Sequence, residues 1–317
     1  MNLNTNDIND PTSDGVDRRN FLKCMAWVGT GMVWSMSGSR LSSRTFGAAP
    51  TDTSADFTFV QISDSHIGFA REPNKDVTAT LKLAIDRINA LRTRPDLLIH
   101  TGDLTHLSKP AEFDTVDQVL KSAKVGARFY VPGEHDVFAD DAKAYLERYG
   151  KNTRGLGWHS YTHRGVHFVG LVNVANLKPG GLGTLGAEQL DWLKKDLEAV
   201  ASSTPLVVYA HVPLWTIYPK WGWGTQDSEA ALTLMRRFAS VTVLNGHIHQ
   251  VMQKTEGNIT FHTARSTAFP QPQPGQAESP GPLKTVPAEK LRTMLGLAQV
   301  NYTETRQTLA VVDVTLE

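Results

Sequence analysis

Five apolar runs in this chain each lead into an Asp, Glu or His, and that repetition constrains the fold more than any other feature. Leu97-Leu98-Ile99-His100 passes through Thr101-Gly102 to Asp103. Phe57 to Ile62 leads to Asp64-Ser65-His66, and Phe129-Tyr130-Val131 leads to Gly133-Glu134-His135-Asp136. Val207-Val208-Tyr209-Ala210 precedes His211, and Val241-Thr242-Val243-Leu244 precedes Gly246-His247-Ile248-His249. Five strand ends that each deliver metal-type ligands point to one shared centre. Such gathering suits a mostly parallel sheet, where sites form beyond the carboxyl ends of the strands.

The stretches between these runs fit that architecture. Val77, Leu81, Ala84, Ile85, Ile88 and Leu91 recur at three and four residues, the period of one helix face. Pro110 stands at the start of a second helix, which carries Phe113, Val116, Val119 and Leu120. Strand, helix, strand, helix, strand predicts parallel pairing through crossover helices. A short helix is expected near Ala142 to Tyr149, and two strands from Trp158 to Val172 joined around Arg164-Gly165. Further helices are expected around Leu190 to Val200 and Glu229 to Phe238. Ile259 to Phe261 and Leu309 to Val314 read as antiparallel strands that close the fold. Between them, Pro270 to Pro287 holds six prolines in 18 residues and reads as an irregular excursion. The Gly-rich segment 180–186 lacks the Lys-Ser or Lys-Thr ending of a phosphate-binding loop, so a flexible turn accounts for it.

Residues 1–55 stand apart from this pattern. The first 16 are polar and aperiodic, as a disordered leader would be, and Asp17-Arg18-Arg19-Asn20-Phe21-Leu22-Lys23 follows. That stretch resembles a twin-arginine export signal. The apolar run after it, Cys24 to about Ser37, is shorter than the ~20 residues that span a bilayer. The resemblance implies a partnership with the twin-arginine export machinery and a periplasmic or secreted protein, residues 56–317 forming one domain. The bland alternative is a short amphipathic or core helix. Cys24 lacks the small preceding residue of a lipoprotein site, so no stable membrane anchor is expected.

Cys24 is also the sole cysteine. Once the leader is removed, no disulfide, thiolate nucleophile or Cys-type zinc site remains, and a metal has to be held by His, Asp, Glu or Asn. Lys plus Arg and Asp plus Glu both number 32, giving a formal net charge of +0. Composition therefore supplies no electrostatic footprint for nucleic acid, and none is expected as a partner.

Taken in order, Asp64-Ser65-His66, Gly102-Asp103, Gly133-Glu134-His135-Asp136, His211 and Gly246-His247-Ile248-His249 resemble the motifs of the calcineurin-like metallophosphoesterases. The segment around Gln189-Leu190 and Trp192-Leu193 is similar to members that resemble bacterial cyclic-nucleotide phosphodiesterases. The resemblance implies a four-layer α-β-β-α sandwich, two mixed sheets flanked by helices. It implies a small-molecule phosphoester substrate and hydrolysis by a metal-activated hydroxide, with phosphodiesters ahead of monoesters. Asp64, His66 and His249 would hold one ion, Glu134, His211 and His247 a second, and Asp103 would bridge them. Mixed carboxylate and imidazole ligands suit Fe, Mn or Zn, as divalent or trivalent ions. Such a pair, ~3.5–4 Å apart, clamps the attacking and leaving oxygens. His135 would stabilise developing charge or protonate the leaving oxygen, and Asp136 would orient His135.

Glu134 departs from the family, which usually has Asn there. A charged, longer side chain either ligates and makes the site more anionic, or repels substrate phosphate and lowers activity. Two rival functions follow: a phosphomonoesterase or nucleotide pyrophosphatase on the same centre, and a non-catalytic protein that binds metal or a phosphate ligand. His106 lies three residues past Asp103, within reach of substrate. His100 reads as a hydrogen-bonded core histidine or one that supports a ligand, and His159, His163, His167 and His262, on expected sheet positions, read as structural. Trp215, Tyr218, Trp221 and Trp223 follow His211 closely, either as a loop packed back on the core or as an aromatic wall beside the metals, with Trp215 and Trp221 the candidate substrate contacts. The loops at 104–112, 213–226 and 270–290 would set substrate choice.

Overall fold

The computed structural model describes residues 32–37, 40–45 and 56–317, apart from residues 140, 141, 176 and 179. The chain divides into two units, Met1–Thr53 and Ser54–Glu317. In the first, β1 (Met32–Ser37) pairs antiparallel with β2 (Arg40–Thr45). The twin-arginine stretch at 17–23 lies outside the described residues.

The second unit opens with β3 (Phe57–Ile62), α1 (Val77–Asn89), β4 (Leu97–His100), α2 (Pro110–Lys121) and β5 (Ala127–Tyr130). It continues through α3 (Lys143–Tyr149), β6 (His159–His163), β7 (Val166–Gly170), α4 (Ala187–Glu198), β8 (Leu206–Tyr209), α5 (Ser228–Met235) and β9 (Val241–Asn245). It ends with β10 (Gln253–Glu256), β11 (Ile259–Thr263), α6 (Ala288–Met294), β12 (Gly296–Thr303) and β13 (Thr308–Thr315). One sheet has the order β13-β12-β3-β4-β5 and the other β10-β11-β9-β8-β7-β6. The ligand-bearing strands are parallel within each sheet, β3 with β4 and β5, and β8 with β9, and β7 and β11 extend the second run in parallel.

Residue alternation explains the four layers. Phe57 and Phe59 of β3, Leu97 and Ile99 of β4, and Val207 and Tyr209 of β8 share one buried cluster between the sheets. The opposite face of β3, Val60 and Ile62, packs with Leu81 and Ile85 of α1 and Val116 of α2. Val208 and Val243 pack outward against Leu193 and Leu197 of α4 and Met235 of α5. Each of these fully buried aliphatic side chains contributes ~1.5–3 kcal/mol relative to exposure. Asp76 caps α1 by accepting from Ala79 N at 2.9 Å. Glu112 in the first turn of α2 accepts from Leu107 N at 2.8 Å and Lys109 N at 3.4 Å, which braces the loop carrying His106.

One strand assignment needs correcting. Ile259–Thr263 runs parallel to β9, and its antiparallel neighbour is β10. β10 is the polar, fully exposed edge strand Gln-Lys-Thr-Glu, which carries no alternating apolar pattern to mark it in sequence. Leu309 to Val314 does lie in an antiparallel strand, β13, whose partner is β12.

Candidate metal centre

The expected ligands converge at the carboxyl ends of strands from both sheets. Asp64 and His66 follow β3, Asp103 follows β4, His211 follows β8, and His247 and His249 follow β9. Glu134-His135-Asp136 forms a single 3₁₀ turn beyond β5. Ten described non-glycine residues have positive φ, and five of them are Asp64, His66, Asp103, His247 and His249. A left-handed backbone costs on the order of 1–3 kcal/mol per residue and clusters where a site dictates side-chain direction. Two glycines permit the close approach. A Cβ at Gly133 would lie 2.0 Å from Asp103 Oδ1, and one at Gly246 would lie 2.0 Å from Ser63 Oγ and 2.6 Å from Asp64 Oδ2.

Two ligand groups meet at Asp103. In the first, His249 Nε2 lies 3.2 Å from both Asp64 Oδ1 and His66 Nε2. In the second, Glu134 splits its oxygens, Oε1 lying 3.1 Å from His247 Nδ1 and Oε2 3.0 Å from His211 Nε2. Asp103 Oδ2 lies 3.5 Å from His66 Nε2 and 3.4 Å from His211 Nε2, between the groups. Asp103 Oδ1 accepts from His135 N at 2.9 Å.

The donor set fits metal ions. His211 Nδ1 donates to Thr101 O at 2.7 Å, and His249 Nδ1 donates to Phe269 O at 2.5 Å. A carbonyl only accepts, so each Nδ1 carries a hydrogen, and Nε2 is the nitrogen that can turn a lone pair inward to a metal. For His211 that lone pair faces oxygens of Asp103, Glu134 and, at 3.9 Å, Asp64. Lone pairs and carboxylates converging in a buried space require a cation. Glu134 Oε2, buried and 3.0 Å from His211 Nε2, is aimed into the same cluster.

Electrostatics express the same demand. Burial disfavours charged His211, yet Asp103 and Glu134 outweigh it and raise its pKa well above the ordinary value. Burial likewise works against ionised Asp64 and Glu134. His249 and His211 nevertheless bring Asp64 down to about 2, and His247 and His211 hold Glu134 well below its usual range. His135 is raised, because Asp103 and Glu134 more than offset its burial. Burial, reinforced by neighbouring imidazoles, lowers His66 and brings His106 down to about 4.

Asp136 does not orient the His135 ring. Its buried carboxylate accepts from Gly133 N, Leu104 N, Thr105 N and Thr105 Oγ1 at 2.8–3.0 Å, tying the loops after β4 and β5 together. The ring is set instead by His106, whose backbone oxygen accepts from His135 Nδ1 at 2.8 Å. His100, read as a core histidine or one that supports a ligand, is buried and bonded to Ser65 Oγ at 2.8 Å.

A cavity of about 510 Å³ opens beside the cluster, lined by Glu134, His135 and His247 at its floor. Trp221 and Trp223 form one wall, with Phe138, Lys178, Gln271 and Gly281 around the rest. Trp215 is not part of that wall. Its ring lies 5.0 Å from Phe261 and packs into the cluster over the second sheet. Trp223 belongs to the aromatic stretch expected to wall the site, whereas Phe138 escaped the sequence reading. Phe138, 59% exposed, stands two residues past Asp136, an apolar residue in a motif loop with no core to enter.

The profile of the calcineurin-like phosphoesterase family matches residues 57–251. The chain is 27% identical over 220 residues to a 3',5'-cyclic-nucleotide phosphodiesterase of Nostoc sp., covering 67% of this chain and 79% of that protein. It is 30% identical over 223 residues to a probable glycerophosphodiester phosphodiesterase of Arcobacter nitrofigilis, covering 65% and 77%. The purple acid phosphatase of yellow lupin seeds superposes with a TM-score of 0.60 at 13% identity. That superposition covers 87% of this chain and 56% of the lupin protein, and speaks to the fold alone.

Proposed function

This chain belongs to the calcineurin-like phosphoesterase family and hydrolyses phosphoesters, and from that premise we propose that it cleaves small-molecule phosphodiesters with two metal ions. Asp64, His66 and His249 would hold one ion, Glu134, His211 and His247 the other, and Asp103 both. The observation that carries this reading is Asp103 Oδ2, which lies between His66 and His211 at 3.5 and 3.4 Å. Bound ions supply Lewis-acid charge to the phosphoryl group and acidify water at neutral pH.

The protein's own groups do the rest. Asp103 and Glu134 lower the net positive charge of the centre. The carbonyls of Thr101 and Phe269 keep His211 and His249 in the tautomer that turns Nε2 inward. His135 holds its Nδ1 hydrogen on His106 O, which leaves Nε2 to carry a proton for the departing oxygen. Asp136 fixes the turn on which His135 rides. Phosphodiesters are favoured because the cavity beside His135, with its tryptophan wall, has room for a second organic group.

Steady-state rates on bis- and mono-p-nitrophenyl phosphate test this reading, and kcat/KM is expected to be higher for the diester. A faster monoester would instead support the phosphomonoesterase reading. Trp221→Ala is expected to raise KM for the aromatic diester roughly 2- to 10-fold, as loss of ~0.5–1.5 kcal/mol of ring contact predicts. Trp215→Ala lies away from the cavity, so it should lower the unfolding temperature and leave KM alone. Equal KM effects from both variants would discard the wall.

A further inference from the structure

His106 belongs to none of the ligand groups proposed above, yet it touches two residues of the centre. Its Nδ1 lies 3.4 Å from His66 Nδ1, and its ring is stacked on that of His135 at 4.9 Å and 15°. Its backbone oxygen accepts from His135 Nδ1 at 2.8 Å. The ring of His66 is buried, with Nε2 turned toward His249 and Asp103 and its flat face against Phe269 at 4.8 Å. His106 Nδ1 is therefore the hydrogen-bonding partner of the outward nitrogen of His66.

We infer that His106 is a positioning residue that sets the tautomer of His66 for metal binding and, through its carbonyl, aims His135. This rests on the two-metal reading above. A neutral imidazole carries one hydrogen. If it sat on His66 Nε2, the nitrogen facing Asp64's group would have no lone pair to give. For His66 to ligate, its Nδ1 carries the hydrogen and donates it, so His106 presents a bare Nδ1 and keeps its own hydrogen on Nε2. Metal-bound histidines commonly donate their remote N–H to a carboxylate or carbonyl, and loss of that acceptor weakens metal binding about 10- to 100-fold. Here an imidazole fills that place.

The loop around His106 is built to hold such a contact. Glu112 accepts from Leu107 N at 2.8 Å, and Ser108 Oγ donates to His135 O at 2.7 Å. Thr105 is tied by its own amide and hydroxyl to Asp136. Phe69 meets the His106 ring edge-on at 5.3 Å, opposing its rotation. The division of labour is specific: the side chain serves His66, whereas the backbone oxygen serves His135 and survives substitution.

The test is stepwise Mn²⁺ binding to the metal-free full-length chain, compared for the unsubstituted protein, His106→Ala and His106→Asn. The expected result is two Mn²⁺ per unsubstituted chain. His106→Ala should weaken one step about 10- to 100-fold and leave the other within twofold. His106→Asn, whose side-chain oxygen accepts in place of Nδ1, should recover most of that loss. Both steps unchanged in His106→Ala would overturn the inference. A loss that His106→Asn does not recover would overturn it as well, because packing alone would then explain the effect. Failure of the unsubstituted chain to bind Mn²⁺, and equally Fe²⁺ and Zn²⁺, would remove the two-metal reading itself, an outcome separate from either.

Discussion

Asp103→Asn is expected to lower diester turnover about 10³-fold, equivalent to roughly 4 kcal/mol of transition-state stabilisation. It should also reduce bound metal from two ions per chain to one or fewer. The reason is position. Asp103 Oδ2 faces His66 of one ligand group and His211 of the other, while Oδ1 is fixed by the amide of His135. A neutral amide retains the shape and can still accept from His135 N. It cannot offset the charge of two neighbouring cations. The loss should therefore appear in metal content and turnover together, with the unfolding transition of the metal-free protein little changed. Metal analysis beside steady-state kinetics would check it, and an Asn variant holding two ions with ordinary turnover would remove Asp103 from the bridging position.

His135→Ala is the second large effect, and its signature differs. Its ring is not among the proposed ligands, so both ions should stay bound. Turnover of an alkyl diester should fall about 10²- to 10⁴-fold, the usual contribution of a positioned proton donor. The fall should be smaller for bis-p-nitrophenyl phosphate, because p-nitrophenol departs readily as its anion. Glu134 and Asp103 favour the proton on His135, and His106 O fixes the ring that carries it. An equal loss on both diesters would mean that His135 stabilises charge on the phosphoryl oxygens and does not protonate the leaving group.

Much of the centre was legible in sequence because its information is local. A strand, a glycine or tight turn and then a ligand appear as a contiguous pattern at Asp64, Asp103, His211 and His247, and the fold brings these ends together. What depended on contacts distant in sequence was less legible. The motif around His135 and Asp136 suggested that the carboxylate serves its neighbour, but it bonds 31 and 32 residues back, to Thr105 and Leu104. Trp215, Trp221 and Trp223 are nearly adjacent in sequence, yet only the last two line the cavity. β10 was invisible because an exposed edge strand need not alternate. His106 read as a candidate substrate contact from its spacing alone, and the positioning role proposed above rests on its distance to His66 Nδ1, which no local pattern carries.

At His159 and His167 the bland reading was sound for a simple reason. His159 bonds Tyr209 OH at 2.6 Å and Gly157 O at 2.8 Å, and His167 bonds Asp196 at 2.9 Å and Thr162 at 3.0 Å. Both ring nitrogens are used in each case. His211, His247 and His249 differ because each turns a nitrogen toward carboxylates gathered at one point.

The most direct test of the two-metal account is a titration of metal-free protein with Mn²⁺, following bound metal and hydrolysis of bis-p-nitrophenyl phosphate together. The account predicts two ions per chain at saturation, with turnover rising as the second binds. One ion or none, with no turnover under Mn, Fe or Zn, would contradict it and make Glu134 the residue that disables the centre.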